Sequence, residues 1–141
     1  MKPLNEEQVK MIKEFHNYLM RLHDKYWGMY TGAVLMNKFI EENTGKETPI
    51  SSIAQVASTI SNLCKIKVDD KNILIVDSIK IEDEQTAKKA ISNLMLYMSN
   101  FSYYLGNVIP FIIDVNKEAT GRQEMDCIRN YIAEIIGFIT E

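Results

Sequence analysis

The sequence is poor in the side chains that carry most metal and covalent chemistry. Two cysteines, two histidines and one tryptophan are spread over 141 residues. Cys64 and Cys127 each sit inside an apolar helical pattern. That placement predicts buried free thiols, with a disulfide or a reactive thiol as alternatives. Two cysteines without further His or Cys close by cannot build a structural zinc site. His16 and His23 are seven residues apart. On a helix they point the same way but stand about 10 Å apart along the axis, too far to share one ion. Met20 and Trp27 fall on the same stripe, so these four residues read as a second helix face that meets another subunit. A haem-binding or pH-sensing role is the alternative for the histidines.

Charge of one sign is not concentrated anywhere. Sixteen Lys and Arg against nineteen Asp and Glu leave a net charge of −3. The nearest approaches to basic clusters are Lys65/Lys67 and Lys88/Lys89. The chain as a whole is therefore not steered towards nucleic acid or acidic membrane. Long apolar runs are also missing. The longest, Val108 to Ile113, is broken by Pro110 and is far too short to span a bilayer. Met1-Lys2-Pro3-Leu4 leads directly into polar and acidic residues, unlike a secretory signal, and a cytoplasmic location is expected.

Catalytic motifs are absent as well. The sequence has no phosphate-cradling glycine loop, no nucleophile elbow and no HExxH. The segment Asp114 to Met125 has oxygen-bearing side chains at the first, third and fifth positions of a calcium loop. It has Ala119 where the loop needs glycine and Met125 where it needs the bidentate glutamate, so a plain connection is expected. No enzyme, no cofactor and no metal are predicted. Asp69, Asp70, Asp77, Glu82, Asp83 and Glu84 form an acidic stretch that reads as a solvated turn and a capped helix start, or as a face for a basic partner.

What the sequence does hold is helical periodicity. It is 46% hydrophobic, with only three prolines and six glycines to punctuate it, and reads as one domain over residues 1–141. Asn5 and Gln8 form a capping-box pair. Ile12, Phe15, Leu19, Leu22 and Tyr26 follow at spacings of three and four, on one helix face. Gly28 and Gly32 either bend the chain between a first and a second helix or permit close approach of another helix. The second helix carries Met29, Ala33, Met36, Phe39 and Ile40 and stops at Gly45. Thr48 and Pro49 open a third, with Ile53, Val56, Ala57, Ile60 and Leu63 on its apolar face. Nothing from 50 to 64 is charged, so this helix is expected to be covered by the fold or by a partner.

Residues 65–81 change to β-branched side chains around Asp69-Asp70-Lys71-Asn72, which predicts a hairpin over about 65–77, extended by 78–81. Asp83 caps a helix striped by Ala87, Ile91, Leu94, Met98, Phe101 and Leu105 and ended by Gly106. Residues 108–115 form a short helix begun at Pro110, or a strand. After Thr120-Gly121 a last helix carries Met125, Ile128, Ile132, Ile135 and Ile139. The fold expected is mainly α: a bundle of five to six helices with a small central β-hairpin.

The function expected is that of a non-enzymatic interaction or regulatory domain: an adaptor, regulator or inhibitor acting by surface contact. It would act as a homodimer or with an obligate protein partner. Its oligomer surface is assigned to Met95, Tyr104, Tyr131, Ile136 and Phe138, which lie beside the main stripes of their helices. An alternative is a winged-helix-like DNA-binding transcription regulator. It would use Gln55, Ser58, Thr59 and Asn62 on the third helix with Lys65, Lys67 and Lys71 on the hairpin. A third reading is a sensor that holds a small apolar ligand among the aromatic residues.

Overall fold

A computed structural model describes residues 2–116 and 120–141. It contains four helices, α1 (Glu6–Thr44), α2 (Ile50–Leu63), α3 (Glu84–Asn116) and α4 (Thr120–Thr140), and three short strands, β1 (Lys67–Val68), β2 (Leu74–Val76) and β3 (Ile79–Lys80). The chain is mainly helical, as its periodicity predicts, but with four helices among the described residues rather than five or six.

The two lost boundaries have physical explanations. Helix α1 begins at its capping box, where the Asn5 side chain accepts from Gln8 N–H and Gln8 accepts from Asn5 N–H, both at 2.9 Å. It then runs through Gly28 and Gly32 without a break for 39 residues. Burial of Tyr26 on one side of the glycines and Ala33 on the other holds the two halves on one face, and that continuity outweighs glycine's poor helix propensity. The helix stops at Gly45, where φ is +69° and the N–H bonds to Glu41 C=O.

Helix α3 likewise passes Gly106 and Pro110. Proline removes one backbone donor and crowds the carbonyl four residues back, which here belongs to Gly106. Both residues are exposed, so the freed carbonyl can meet water. Val108, Ile109 and Ile112 are buried on the other face and continue the stripe. The N-terminus of α3 is as expected: Asp83 Oδ1 accepts from Thr86 N–H at 2.8 Å. That of α2 is not. Pro49, not Thr48, occupies the cap, no side chain caps it, and Thr48 is buried.

Successive helices are antiparallel. Ser52 at the start of α2 meets Asn107 late in α3, while the end of α2 meets α1 where Cys64 C=O faces His16 Nδ1 at 3.1 Å. Gly121 at the start of α4 lies against Ile109 and Ile112 of α3. Helix α4 then returns along α1, with Tyr131 stacked on Phe15 at 4.6 Å and Gln8 bonded to Glu141. The result is an up-down-up-down arrangement in which α2 packs between α1 and α3, and α4 packs on α3 with side-chain contacts to α1. Its core draws on every helix and on β2. Among its fully buried side chains are Tyr26, Phe15, Phe101, Leu19, Ile53, Ile60 and Leu94.

The predicted hairpin is present and gains a third strand, in the order β1-β2-β3, all antiparallel. Leu74, Ile75 and Val76 of the central strand are all buried. The β1–β2 turn closes on Asp69, whose Oδ1 accepts from Lys71 N–H and Ile73 N–H and whose Oδ2 pairs with Lys80 at 3.0 Å. The β2–β3 turn uses Asp77 and Ser78, with φ of +53° and +65°, a two-residue connection matched to strand twist. Leu4 N–H donates to Asn72 C=O and pins the start of the chain to the sheet. No helix among the described residues is long and apolar enough to cross a membrane.

Candidate interaction surface

Helix α2 and the sheet hold the residues assigned to recognition from sequence. α2 is flanked by α1 and α3, which covers most of its circumference. Gln55 and Ser58 are exposed and Asn62 is half-buried, so a narrow uncharged strip remains. Thr59 does not belong to that strip. It is buried, and its hydroxyl donates to Gln55 C=O at 2.9 Å, the backbone bond a β-branched hydroxyl residue makes inside a helix. Lys65, Lys67 and Lys71 are exposed, but Lys71 sits in the β1–β2 turn beside Asp69 and Asp70. The strip and the lysines therefore do not form one basic face.

Lys67 instead lines a surface groove of about 400 Å³ with Ile12, Lys13, His16, Asn17, Cys64, Ile66 and Val68. No Phe, Tyr or Trp side chain of the described residues lines this groove. Burial pushes the Cys64 thiol above its ordinary pKa, which favours the unreactive protonated form. Cys64 and Cys127 are both free, and both are half-buried rather than buried.

The residues assigned to an oligomer surface are mostly covered by their own chain. Tyr131 stacks on Phe15 and tilts against Tyr18, while Ile136, Phe138 and Tyr104 pack against the core. Helix α1 and the segment around Leu4 cover this side of α4, a return contact that stripe-by-stripe reading of single helices does not reveal. Met95 remains exposed, with Leu96 and Tyr103 on the same helix.

The larger apolar excess lies elsewhere, on the outward side of α1. Trp27, Val34, Leu35, Met36 and Phe39 are half to four-fifths exposed, and Leu35 reaches 79%. His23 and Tyr30 lie against the Trp27 ring, with centroids at 6.3 and 5.5 Å. The stripe of His16, Met20, His23 and Trp27 thus forms a second face of α1, with His16 and Met20 exposed and His23 half-buried. Sequence reasoning placed Met36 and Phe39 on a core stripe. They miss the core because they lie off the buried line of α1 that runs through Phe15, Tyr26 and Ala33.

Two polar contacts fix the helices rather than build a reacting centre. The Tyr26 hydroxyl and Lys25 both bind Glu124, the latter at 2.6 Å. Tyr97 and Asn93 of α3 both donate to Asp77 in the β2–β3 turn. Each contact satisfies groups that burial would otherwise leave without partners. No cluster of His, Cys, Asp and Glu with a metal-ligand arrangement occurs among the described residues. The side chains of Asp114 and Asn116, and Glu118 as a whole, which would begin the calcium-like loop, lie outside the described residues. No protein-family model, no curated protein and no solved structure matches the chain.

Proposed function

We propose that this protein is a non-enzymatic interaction domain, a regulator, adaptor or inhibitor, that works by macromolecular contact through the outward face of α1. One observation carries this reading: Leu35, Met36 and Phe39 lie exposed side by side on a helix whose buried line runs through Phe15, Tyr26 and Ala33. Soluble monomers rarely leave contiguous apolar surface of this kind in water, because its burial is favourable by roughly 25 cal/mol per Å². A cytoplasmic setting suits the two unpaired thiols.

The DNA-binding reading has less support. The covered flanks of α2, its uncharged strip and the buried Thr59 give phosphate and base edges little to meet.

A photo-crosslinking residue at position 35, with a control at position 55, tests the reading in cells. Adducts at 35 that exceed those at 55 are expected. Equal labelling at both positions, or none at 35, overturns it.

A further inference from the structure

We infer that the partner of the α1 face is a second copy of this chain, docked antiparallel so that Leu35 and Phe39 of each copy fill the gaps at Gly32 and Gly28 of the other. This rests on the proposed role of α1 as the contact surface and specifies its occupant.

The starting observation is a pair of glycines without a function inside the monomer. Gly28 and Gly32 sit in the interior of a 39-residue helix, where glycine is the poorest residue after proline. A Cβ added at either would meet nothing within 4 Å. No turn, positive φ or close neighbour in the chain requires them; the one glycine with positive φ is Gly45. A missing Cβ leaves a shallow gap in a helix surface and lets another helix approach closely.

The second observation is independent. Leu35 and Phe39, 79% and 60% exposed, follow the glycines on the same stripe. At 3.6 residues per turn, positions 28, 32, 35 and 39 fall within about 60° of arc. That arc lies away from the buried line through Phe15, Tyr26 and Ala33.

The spacing is self-complementary. The glycines are four residues apart, and so are the two large side chains. In an antiparallel pair the residue numbers facing each other have a constant sum. The register that places Leu35 opposite Gly32 of the other copy also places Phe39 opposite Gly28. Two-fold symmetry repeats both contacts, which gives four large-into-small contacts around one axis. A parallel pair in register sets glycine against glycine and Leu35 against Leu35, and fills no gap.

The area is of the right order. Leu35, Phe39 and Met36 present roughly 400 Å² of surface per copy, about half of the ~800 Å² per partner that a standard interface buries. Exposed Arg21, Asp24, Thr31 and Glu42 border the stripe and supply the polar rim such interfaces have. Helix α4 covers none of this face, because it contacts α1 on the side of Phe15 and Tyr26.

Sedimentation of the purified full chain tests the pairing, with wild type beside Gly32→Leu and Leu35→Asp and helical content read by circular dichroism. Gly32→Leu faces open space and exchanges a poor helix former for a good one, so its monomer is expected to fold. A wild-type dimer that dissociates on dilution and is lost in both variants is the expected result. A wild type that stays monomeric at its highest attainable concentration overturns the inference. A dimer lost in Leu35→Asp but kept in Gly32→Leu also overturns it, while leaving α1 as the contact surface. A second test mixes chains that carry a single cysteine, at 28 in one and at 39 in the other, with Cys64 and Cys127 replaced by serine. The 28-to-39 disulfide should form in excess over either symmetric product, and an excess of the 28-to-28 product overturns the antiparallel register.

Discussion

The Tyr26 hydroxyl donates to Glu124, and this bond ties the middle of α1 to the start of α4. Tyr26 is fully buried, so its hydroxyl has no water to turn to if the acceptor is removed. Glu124→Ala should therefore cost about 2–3 kcal/mol, the range for a charged hydrogen bond plus an orphaned buried donor. Tyr26→Phe should cost less, because Glu124 keeps Lys25 at 2.6 Å. Urea unfolding of the two variants beside wild type measures both, and the order of the two losses is the prediction.

High pH should unfold the protein through its tyrosines. Tyr18 and Tyr26 are held well above the ordinary phenol pKa, first by burial and then by hydrogen bonds to Cys127 and Glu124 respectively. Tyr97 is pushed up to about 12 by burial and by its bond to Asp77. For a group whose folded pKa is raised, the unfolded chain loses its proton first. The stabilisation is then complete below the unfolded value near 10 and falls as pH rises from there through the folded value. Stability should be insensitive to these groups up to about pH 9 and should fall steeply from about pH 10 to 12. Tyr97→Phe should flatten that fall, as read from denaturation midpoints across the alkaline range.

Two glycines should respond to alanine with opposite signs. At Gly121 an added Cβ would stand 2.8 Å from Ile109 Cγ1, so α3 and α4 would have to part. Gly121→Ala should cost about 1–3 kcal/mol, as overpacking does. Gly106 lies inside α3 with open space around it. Gly106→Ala should stabilise by about 0.5–1 kcal/mol. Thermal melts of the two variants decide the signs.

Asp77 holds two roles that one substitution can separate. Its φ of +53° is a turn requirement, and its carboxylate binds Tyr97 and Asn93 of α3. Asp77→Gly keeps the turn conformation and removes the tether. It should cost about 1.5–3 kcal/mol and speed amide exchange in β2 and β3. Asp77→Asn keeps the turn and an acceptor oxygen and should lose less.

The core of this fold was legible because single stripes determine it. Ile12, Phe15, Leu19, Leu22 and Tyr26 are all buried, as are Ile53, Val56, Ala57, Ile60 and Leu63, and the spacing of each set predicts it. The element boundaries were harder where local and tertiary preferences conflict. Gly28 and Gly32 suggest a bend or a close approach, Gly106 a stop and Pro110 a new start, yet buried residues on both sides keep the helices running. Of the α2 residues assigned to recognition, Gln55 and Ser58 are exposed and Asn62 half-buried, whereas Thr59 turns inward. The largest exposed apolar surface lies on α1 rather than beside the stripes of α3 and α4, for a reason no periodicity contains. Whether an apolar position is covered depends on which side of a helix its neighbours take: the return of α4 along α1 covers Tyr131 and Phe138, while Met36 and Phe39 lie off the buried line of α1 and stay bare. In sequence the glycine pair reads as a bend or as a place where another helix comes close; the helix runs on unbroken, and the empty space beside both residues shows that no described helix of the same chain takes that place.

Because α4 runs back along α1, the described ends of the chain lie together beside the sheet: Leu4 bonds to Asn72, and Gln8 to Glu141. The tip of α1 at Thr44 points away from them at the other end of a helix about 58 Å long. A fluorophore or purification tag joined near residue 4 or residue 141 therefore stands clear of Leu35 and Phe39. A short linker between these neighbouring ends would allow the chain to be reopened elsewhere, for instance in the loop after Gly45, with the order of its helices rotated and their packing retained.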